Sequence, residues 1–341
     1  MKFLFLGAGA IGTYVGGSLA AAGDEVTFIE RPETAAVIAE HGLKVHTADT
    51  TRVVRDVTVH GSAAEALAHG PYDIGVFALK SFDTQTALDE LVATGYEVPT
   101  ILSLQNGVDN EPTIAATLGA DKVIAGTVAT AVSKPGVGEV VEEKHRGIGV
   151  ALGHPLAQPL VEALDRAGLS GKAFDDAPSM KWSKLLTNLT GNATSAILDE
   201  TVAELFADKR SYTIEVAVLA ECLAVMKAKG YRVVDLPGTP VRALAWATKL
   251  PRFIAQPALT QALGAGRGDK MPSFHIDLHG GRGRTEVSFL NGAVARGGEQ
   301  AGVPTPVNAL LTDTLEALSA GELPLDAYRH DPDALLARLA R

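Results

Sequence analysis

The chain opens with a short apolar block, a glycine-rich helical pattern and a second apolar block. Lys2 to Leu6 has the length and composition of a buried strand, and the helical pattern that follows it runs through Ala22 and ends at Gly23. The next apolar run, Glu25 to Ile29, again has the length of a strand. This order predicts a βαβ unit with parallel strands.

The same alternation continues through the first half of the chain. It predicts a mostly parallel, doubly wound sheet of the α/β class. Residues Val132 to Leu152 are rich in glycine and β-like in pattern, which predicts antiparallel strands that complete this sheet. The other predicted elements are strands at Tyr72–Leu79, Val98–Leu104, Val123–Ala131 and Gly171–Phe174 and helices at Thr84–Ala93 and Leu160–Ala167.

Helical patterns dominate the second half, after a turn-rich segment at 175–179. The first of these helices is predicted to run from Met180 to Leu198 without a break, and another from Thr285 to Ala301. We therefore predict a sheet domain at 1–175, a helical domain at 176–325 and a C-terminal tail at 326–341.

Composition narrows the class of protein. With 341 residues, 46% of them apolar and 21% charged, the chain can fill about two globular cores. The net charge of −10 argues against a partner that is nucleic acid or an anionic membrane. The single cysteine, Cys222, cannot form a disulfide within the chain, which favours a reducing cytoplasm. The run from Phe3 to Gly23 lacks charge but contains six glycines, which argues against a signal peptide or a membrane span.

The turn between the first strand and helix carries the first chemical signal, a G-x-G-x-x-G pattern. Gly7 permits a tight turn, Gly9 lets a pyrophosphate approach the backbone, and Gly12 allows the helix to pack closely on the strand. The N–H groups at the start of the helix then face the phosphates. The cradle, defined as the segment Gly7, Ala8, Gly9, Ala10, Ile11 and Gly12, therefore predicts a dinucleotide site.

The end of the second strand should select the cofactor. An acid there accepts hydrogen bonds from the ribose 2′-hydroxyl of NAD, whereas an arginine pairs with the 2′-phosphate of NADP. Here Glu30 and Arg31 are both present, and the choice depends on which side chain faces the ribose. We favour NADPH, with NAD left open by Glu30.

Two further strands are followed by polar residues at the edge where ligands bind in open α/β sheets. Lys80 follows one strand, and Asn106 and Gly107 follow the next. The sequence alone does not distinguish binding roles from a solvated lysine and ordinary Asn-Gly turn chemistry.

A row of polar residues marks the largely uncharged helix at Met180–Leu198. Lys184, Asn188 and Asn192 lie at i, i+4 and i+8 and would share one helix face. A buried asparagine without partners costs about 1–3 kcal/mol, so the row predicts a polar ligand. Lys184 could give a proton or a positive charge to a carbonyl oxygen that is being reduced by hydride. The alternative is a lysine that reaches water and asparagines that bond to the backbone.

Seen together, these patterns resemble the ketopantoate reductase (2-dehydropantoate 2-reductase) family along nearly the whole chain. Several motifs occur in the same order, which is more specific than any one of them. They are the cradle, Ala78-Leu79-Lys80, Leu104-Gln105-Asn106-Gly107, the segment from Lys184 to Asn192, Pro272-Ser273 with Asp277, Thr285-Glu286 with Asn291-Gly292, and the closing segment Gly302 to Asn308.

The resemblance implies a Rossmann domain followed by a helical domain like the C-terminal domain of 6-phosphogluconate dehydrogenase. It also implies reduction of a branched 2-keto acid by NADPH, as in pantothenate biosynthesis. Lys184 would then be the general acid, with Glu286 catalytic or in contact with cofactor. The implied cofactor ligands are the cradle, Arg31, Lys80, Asn106 and Glu286, and the implied substrate ligands are Asn106, Lys184, Asn188, Asn192 and Ser273.

Three features limit this reading. By residue type alone, Glu286 is expected in the first turn of a helix, where a carboxylate is favourable anyway, and Ser273 in a loop where hydroxyls often cap helices. The family usually has an acid where this chain has Ser288. Glycine- and arginine-rich loops are expected at 264–270 and 280–284, and with Ser288 they suggest that substrate preference has shifted.

His275 and His279 are spaced i, i+4 beside Asp277, which is compatible with a metal site. With no further ligand evident, the sequence favours surface or packing histidines and no metal.

The sequence thus predicts an NADPH-dependent reductase of a small 2-keto acid, with ketopantoate as the first substrate to test. Two alternatives stay open: a reductase of another 2-oxo acid, and a non-catalytic NADP(H)-binding sensor. The oligomeric state is not encoded in any pattern here, and a homodimer is left open.

Overall fold

The structure, a computed structural model, describes residues 1–267 and 271–339. Contacts divide the chain into two compact units. The first comprises Met1–Lys181 with Leu236–Thr239, and the second comprises Trp182–Asp235 with the chain from Pro240 onward. The predicted domain boundary after residue 175 falls shortly before this division.

The first unit contains an eight-stranded sheet and a four-stranded sheet. The central strand β1 is buried along most of its length because other elements cover both of its faces. The strands, in chain order, are β1 (Lys2–Leu6), β2 (Glu25–Ile29), β3 (Leu43–His46), β4 (Thr51–Val54), β5 (Thr58–His60), β6 (Ile74–Phe77), β7 (Thr100–Ser103), β8 (Val123–Val128), β9 (Ala131–Gly136), β10 (Glu139–Lys144), β11 (Ile148–Ala151) and β12 (Gly171–Phe174).

The eight-stranded sheet has the order β12-β11-β8-β7-β6-β1-β2-β5. Its neighbours are parallel except β8 and β11, which run antiparallel. The chain leaves β1 toward β2 on one side and reaches β6 on the other, so the strand order reverses between β1 and β6. Ligands bind at the carboxyl ends of the strands at such a point.

The smaller sheet corrects one prediction. Its order is β4-β3-β10-β9, and it packs against the helix that follows β1. Within the segment Val132 to Leu152, β10 and most of β9 therefore belong to a separate sheet, and only β11 joins the main one. The hairpin of β9 and β10 pairs instead with β3, which comes from residues 43–46.

The helices of the first unit flank the main sheet or join its strands. They are α1 (Ala10–Ala21), α2 (Pro32–His41), α3 (Ala63–Ala68), α4 (Thr84–Ala93), α5 (Asn110–Leu118) and α6 (Ala157–Arg166), with short 3₁₀ turns at Ser81–Asp83 and Ala120–Lys122.

Helices make up the regular structure of the second unit, which α7 enters at residue 182. They are α7 (Ala177–Leu189), α8 (Ala193–Leu198), α9 (Val202–Ala207), α10 (Lys209–Ala228), α11 (Val241–Ala247), α12 (Arg252–Arg267), α13 (Ser273–His279), α14 (Asn291–Ala301), α15 (Pro306–Ser319) and α16 (Pro332–Leu336), with a 3₁₀ turn at Val287–Phe289.

Two predicted helices are each interrupted. The segment Met180–Leu198 divides into α7 and α8 because Gly191 adopts a left-handed conformation, with φ of +65°. A Cβ at Gly191 would lie 2.8 Å from the side chain of Val202, so the turn leaves room for glycine alone. The segment Thr285–Ala301 divides into the 3₁₀ turn and α14.

Two other expectations concern loops and membranes. Residues 264–267, expected in a loop, are the last turn of α12, and 268–270 lie outside the described residues. Residues 280–284 form a loop as expected.

Nowhere in the described ranges is a helix both long enough and apolar enough to cross a membrane.

Candidate functional site

The cradle in the first unit has the geometry that its glycines predicted. Gly7 has φ of +94°, and a Cβ on Gly12 would lie 2.0 Å from the carbonyl oxygen of Gly7. A Cβ on Gly9 would meet only the carbonyl oxygen of Ala78, at an ordinary 3.9 Å. The protein itself therefore requires glycine at positions 7 and 12, whereas the open space at Gly9 fits a phosphate group that approaches the backbone.

The start of α1 is suited to an anion. Gly9 is the N-cap, no side chain caps the helix, and its first turn contains no acid. Free N–H groups and the positive end of the helix dipole therefore lie beside Gly9. These residues fit the pyrophosphate of a dinucleotide.

Lys134 adds a cation that the sequence did not single out. Its Nζ donates to the carbonyl oxygen of Ala8 at 3.0 Å, although Lys134 lies on β9, far from the cradle in sequence. Because β9 belongs to the smaller sheet beside α1, only the tertiary structure brings this amine to the cradle.

The carboxylate of Glu30 is held against the cradle. Its Oε1 accepts from the backbone N–H of Ala8 at 2.6 Å, and its Oε2 accepts from the N–H of Arg31 at 3.1 Å. Arg31 is the N-cap of α2, and its side chain is exposed. Of the two residues that could read the ribose, Glu30 is thus fixed in place, while Arg31 lies at the surface.

The loops after β6 and β7 are joined by hydrogen bonds at the carboxyl edge of the sheet. The hydroxyl of Ser81 donates to the carbonyl oxygen of Asn106 at 2.9 Å, and the amide of Gln105 donates to the carbonyl oxygen of Lys80 at 3.4 Å. The side chain of Asn106 is exposed and that of Lys80 is half-buried. The structure therefore brings together the two loops for which the sequence left a binding role undecided.

A second lysine on α7, Lys181, has a structural role in the first unit. Its buried Nζ donates to the carbonyl oxygens of Gln105 and Gly126, at 2.8 and 3.2 Å, and pairs with Glu111 at 2.8 Å. A buried ammonium needs such partners. Lys181 thus links the segment that follows β7 to the backbone of β8, and it is distinct from the candidate acid Lys184.

In the second unit, the polar row is only partly regular. Lys184 and Asn188 lie one turn apart on α7, and both are half-buried. Asn192 follows the break at Gly191 and is the buried N-cap of α8, so regular helical spacing does not extend to it.

The structure brings Asn192 together with Ser273. The Oδ1 of Asn192 accepts from the backbone N–H of Phe274 at 3.0 Å and from the hydroxyl of Ser273 at 3.4 Å. The sequence predicted that Ser273 lies in a loop, which is wrong: Ser273 is the first residue of α13, and Pro272 is the N-cap. Two predicted substrate ligands from distant parts of the sequence thus lie in contact.

Glu286 is buried and directly precedes the 3₁₀ turn. The sequence had placed Glu286 in the first turn of a long helix, but the 3₁₀ turn occupies the start of that segment. Two residues later, the hydroxyl of Ser288 donates to the carboxylate of Glu316 on α15. A carboxylate is therefore present beside position 288, although it comes from another helix.

The two histidines of α13 face a carboxylate that the sequence analysis did not connect with them. The Nε2 of His275 lies 2.7 Å from Oδ1 of Asp199, and the rings of His275 and His279 stack with centroids 4.1 Å apart. The hydrogen bond from His275 lowers the pKa of Asp199 below its ordinary value.

The single cysteine is not a reactive nucleophile. The thiol of Cys222 is fully buried, and burial raises its pKa, which disfavours the thiolate.

Comparison with known proteins assigns both units to one family. The family models described as "Ketopantoate reductase PanE/ApbA" and "Ketopantoate reductase PanE/ApbA C terminal" match residues 3–152 and 176–319. A 2-dehydropantoate 2-reductase of Pyrococcus horikoshii is 28% identical over 326 residues, which cover 93% of this chain and 97% of that protein.

Solved structures show the same fold. A PanE/ApbA family ketopantoate reductase from Ralstonia eutropha has a TM-score of 0.80 at 28% identity, covering 94% of this chain and 99% of the other. A D-mandelate dehydrogenase, solved with NADH and anilino(oxo)acetate, has a TM-score of 0.75 at 22% identity with the same coverage.

Proposed function

The chain belongs to the ketopantoate reductase family, and from that premise we propose that it reduces a small branched 2-keto acid, 2-dehydropantoate, with NADPH. The family is one of NAD(P)H-dependent oxidoreductases, so the class of reaction is set by membership. What we add is the substrate, the choice of NADPH and the residues that act.

The residues of the second unit are assigned to the substrate. The ammonium group of Lys184 donates a proton to the ketone oxygen as negative charge develops there. Asn188, Asn192 and Ser273 hold the polar groups of the acid, and Glu286 positions the reacting groups. When bound, the reduced nicotinamide supplies the hydride that the carbonyl carbon accepts.

The residues of the first unit are assigned to the cofactor. The cradle and the N-terminus of α1 hold the pyrophosphate, while Lys80 and Asn106 extend the binding surface along the sheet edge. Arg31 pairs with the 2′-phosphate. The space beside Gly9 supports this assignment, because a Cβ there would meet no close protein atom and the protein's own packing does not explain the glycine.

The observation that carries the substrate proposal is the contact between Asn192 and Ser273. These two residues are 81 positions apart in sequence, the family resemblance matches both to substrate binding, and they share one hydrogen bond. The oxygen of the Ser273 hydroxyl can still accept a hydrogen bond and the amide NH₂ of Asn192 can donate one, so the contact places two polar groups together for a carboxylate or hydroxyl of the substrate.

An absorbance assay at 340 nm with purified protein, 2-dehydropantoate and either NADPH or NADH tests this proposal. We expect oxidation that depends on the keto acid and is faster with NADPH. Tight NADPH binding without oxidation by any keto acid would instead indicate a nucleotide-binding sensor.

A second substrate class is favoured by a specific observation. The family's usual acid is replaced by Ser288, which bonds to Glu316 and so moves the carboxylate to a different backbone. This change at a position where the family usually has an acid supports a different 2-oxo acid as the substrate of the same scaffold. A panel of 2-oxo acids with different branches at C3 separates the two candidates by their kcat/KM values.

The fixed carboxylate of Glu30 gives a prediction about the cofactor. We expect Glu30→Gln to raise the ratio of kcat/KM for NADPH over NADH by about tenfold, because the amide keeps an acceptor for the N–H of Ala8 but removes a charge that repels a 2′-phosphate. Initial rates with both cofactors measure the ratio. Glu33→Gln, in the first turn of α2, is the matched control, and an equal change in both variants would contradict a specific role for Glu30.

A further inference from the structure

Three potential metal ligands converge in the second unit, apart from the residues assigned to the substrate. They are Asp199, His275 and His279, and one donor atom from each lies within 4.8 Å of the other two. We call them the histidine cluster. Asp199 follows α8, whereas both histidines lie on α13, so the folded chain brings together ligands that are 76 positions apart.

The side chains of the cluster can reach one metal ion after they rotate. The histidines lie one helical turn apart, and their rings, now stacked with an interplanar angle of 24°, would turn so that a nitrogen of each points at the ion. The Nε2 of His275 and the Oδ1 of Asp199 are 2.7 Å apart, closer than the ~3.4 Å that separates two donors of a tetrahedral ion with bonds of about 2.1 Å, so binding would move these two side chains apart. A metal would take the place of the proton between these atoms.

We propose that the histidine cluster binds one divalent transition-metal ion, with zinc as the reference case. Imidazole nitrogens and a carboxylate oxygen are the donors such ions prefer, and three protein ligands leave a position for water. His279 would exchange its hydrogen bond to the carbonyl oxygen of Ala196, now 3.2 Å, for the metal. The sequence favoured packing histidines only because it offered no third ligand, and Asp199 supplies one.

One neighbouring charge opposes the ion. Arg329 lies 2.9 Å from Oδ2 of Asp199, the oxygen that the metal does not use. Its guanidinium repels a divalent cation and competes for the carboxylate. The affinity of the natural protein is therefore limited by Arg329, and this provides a distinctive test.

Binding would strengthen the contact between α8 and α13. The same elements position two predicted substrate ligands, because Asn192 is the N-cap of α8 and Ser273 is the first residue of α13. A metal at the cluster would hold the two helices together without touching the substrate. Since no residue of the cluster is assigned to the substrate, we expect removal of the ion to change the melting temperature more than the chemical step.

Cobalt(II) is the probe, because its visible absorption reports the number and type of ligands. We expect the full-length, chelator-treated protein to bind one equivalent, with absorption bands typical of four- or five-coordinate cobalt that zinc then abolishes. His279→Gln, at an exposed position, should weaken binding at least tenfold, and His275→Gln likewise. His154→Gln in the first unit is the matched control and should bind as the unmodified protein does.

Arg329→Gln should bind cobalt about tenfold more tightly, an effect that a simple ion-pair network does not predict. Melting curves without metal establish that each variant is folded. Absence of stoichiometric cobalt binding in both the unmodified protein and Arg329→Gln would overturn the proposal. So would binding that is unchanged in both histidine variants. The proposed reductase activity is independent of either result.

Discussion

Lys184→Ala is expected to lower kcat by about a thousandfold with the preferred keto acid, while the dissociation constant for NADPH changes less than threefold. General acid catalysis is typically worth a factor of 10²–10⁴, and the ammonium also opposes the charge that develops on the ketone oxygen. Steady-state rates at 340 nm give kcat, and quenching of intrinsic fluorescence by NADPH gives the binding constant.

Two further variants distinguish the loss of a proton donor from the loss of a positive charge and from a general effect of removing a lysine. Lys184→Arg retains a cation but cannot readily donate its proton, so activity should remain low. Lys227→Ala, at an exposed position on α10, is the control for loss of a lysine and should keep full activity. An unchanged kcat in Lys184→Ala would remove this residue from the mechanism.

The second large effect is expected at Gly12. An added Cβ in Gly12→Ala would lie 2.0 Å from the backbone oxygen of Gly7, and neither atom belongs to a flexible side chain. The turn and the start of α1 must therefore separate, at a cost to the free energy of unfolding of about 2–4 kcal/mol. NADPH binding should fall more than a hundredfold. Thermal or urea unfolding and a fluorescence titration measure the two losses.

Gly9→Ala is the matched comparison at the same turn. Its Cβ would find ordinary contact at 3.9 Å, so the unfolding free energy should change by less than about 1 kcal/mol. Binding of NADPH should nevertheless fall at least tenfold, because the methyl group would occupy the space reserved for the pyrophosphate. Full NADPH affinity in Gly9→Ala would show that the phosphates lie elsewhere.

The elements predicted best from the sequence are those with a distinct local pattern of residues. The bounds of β1, β2, α4 and β12 agree with the patterns, since each is a compact apolar or amphipathic run with a clear start and end. The smaller sheet was missed because β3 and β4 are short, and β4 is largely exposed. Pairing of β10 with β3 depends on contacts between distant residues, which no local pattern reports.

The candidate site shows the same limit. Residue types and spacing identified the cradle and the Lys184 row, because glycines and uncharged helices leave strong signals. They did not reveal the break at Gly191, since an isolated glycine is compatible with a helical pattern until its φ is known. Lys134, Lys181 and Asp199 were missed for a different reason: each meets its partners only across elements far apart in sequence.

The left-handed turn at Gly191 has a practical consequence for laboratory evolution. The side chain of Val202 fills the space that a Cβ at position 191 would need. Any substitution of Gly191 would therefore displace the neighbouring Asn192 and disturb the backbone, whatever its effect on substrate selectivity. A library that seeks activity on new acids should therefore leave this glycine unchanged. Diversity is better directed to Ser288 and Glu316, whose side chains bond to each other and can vary together without distorting the backbone.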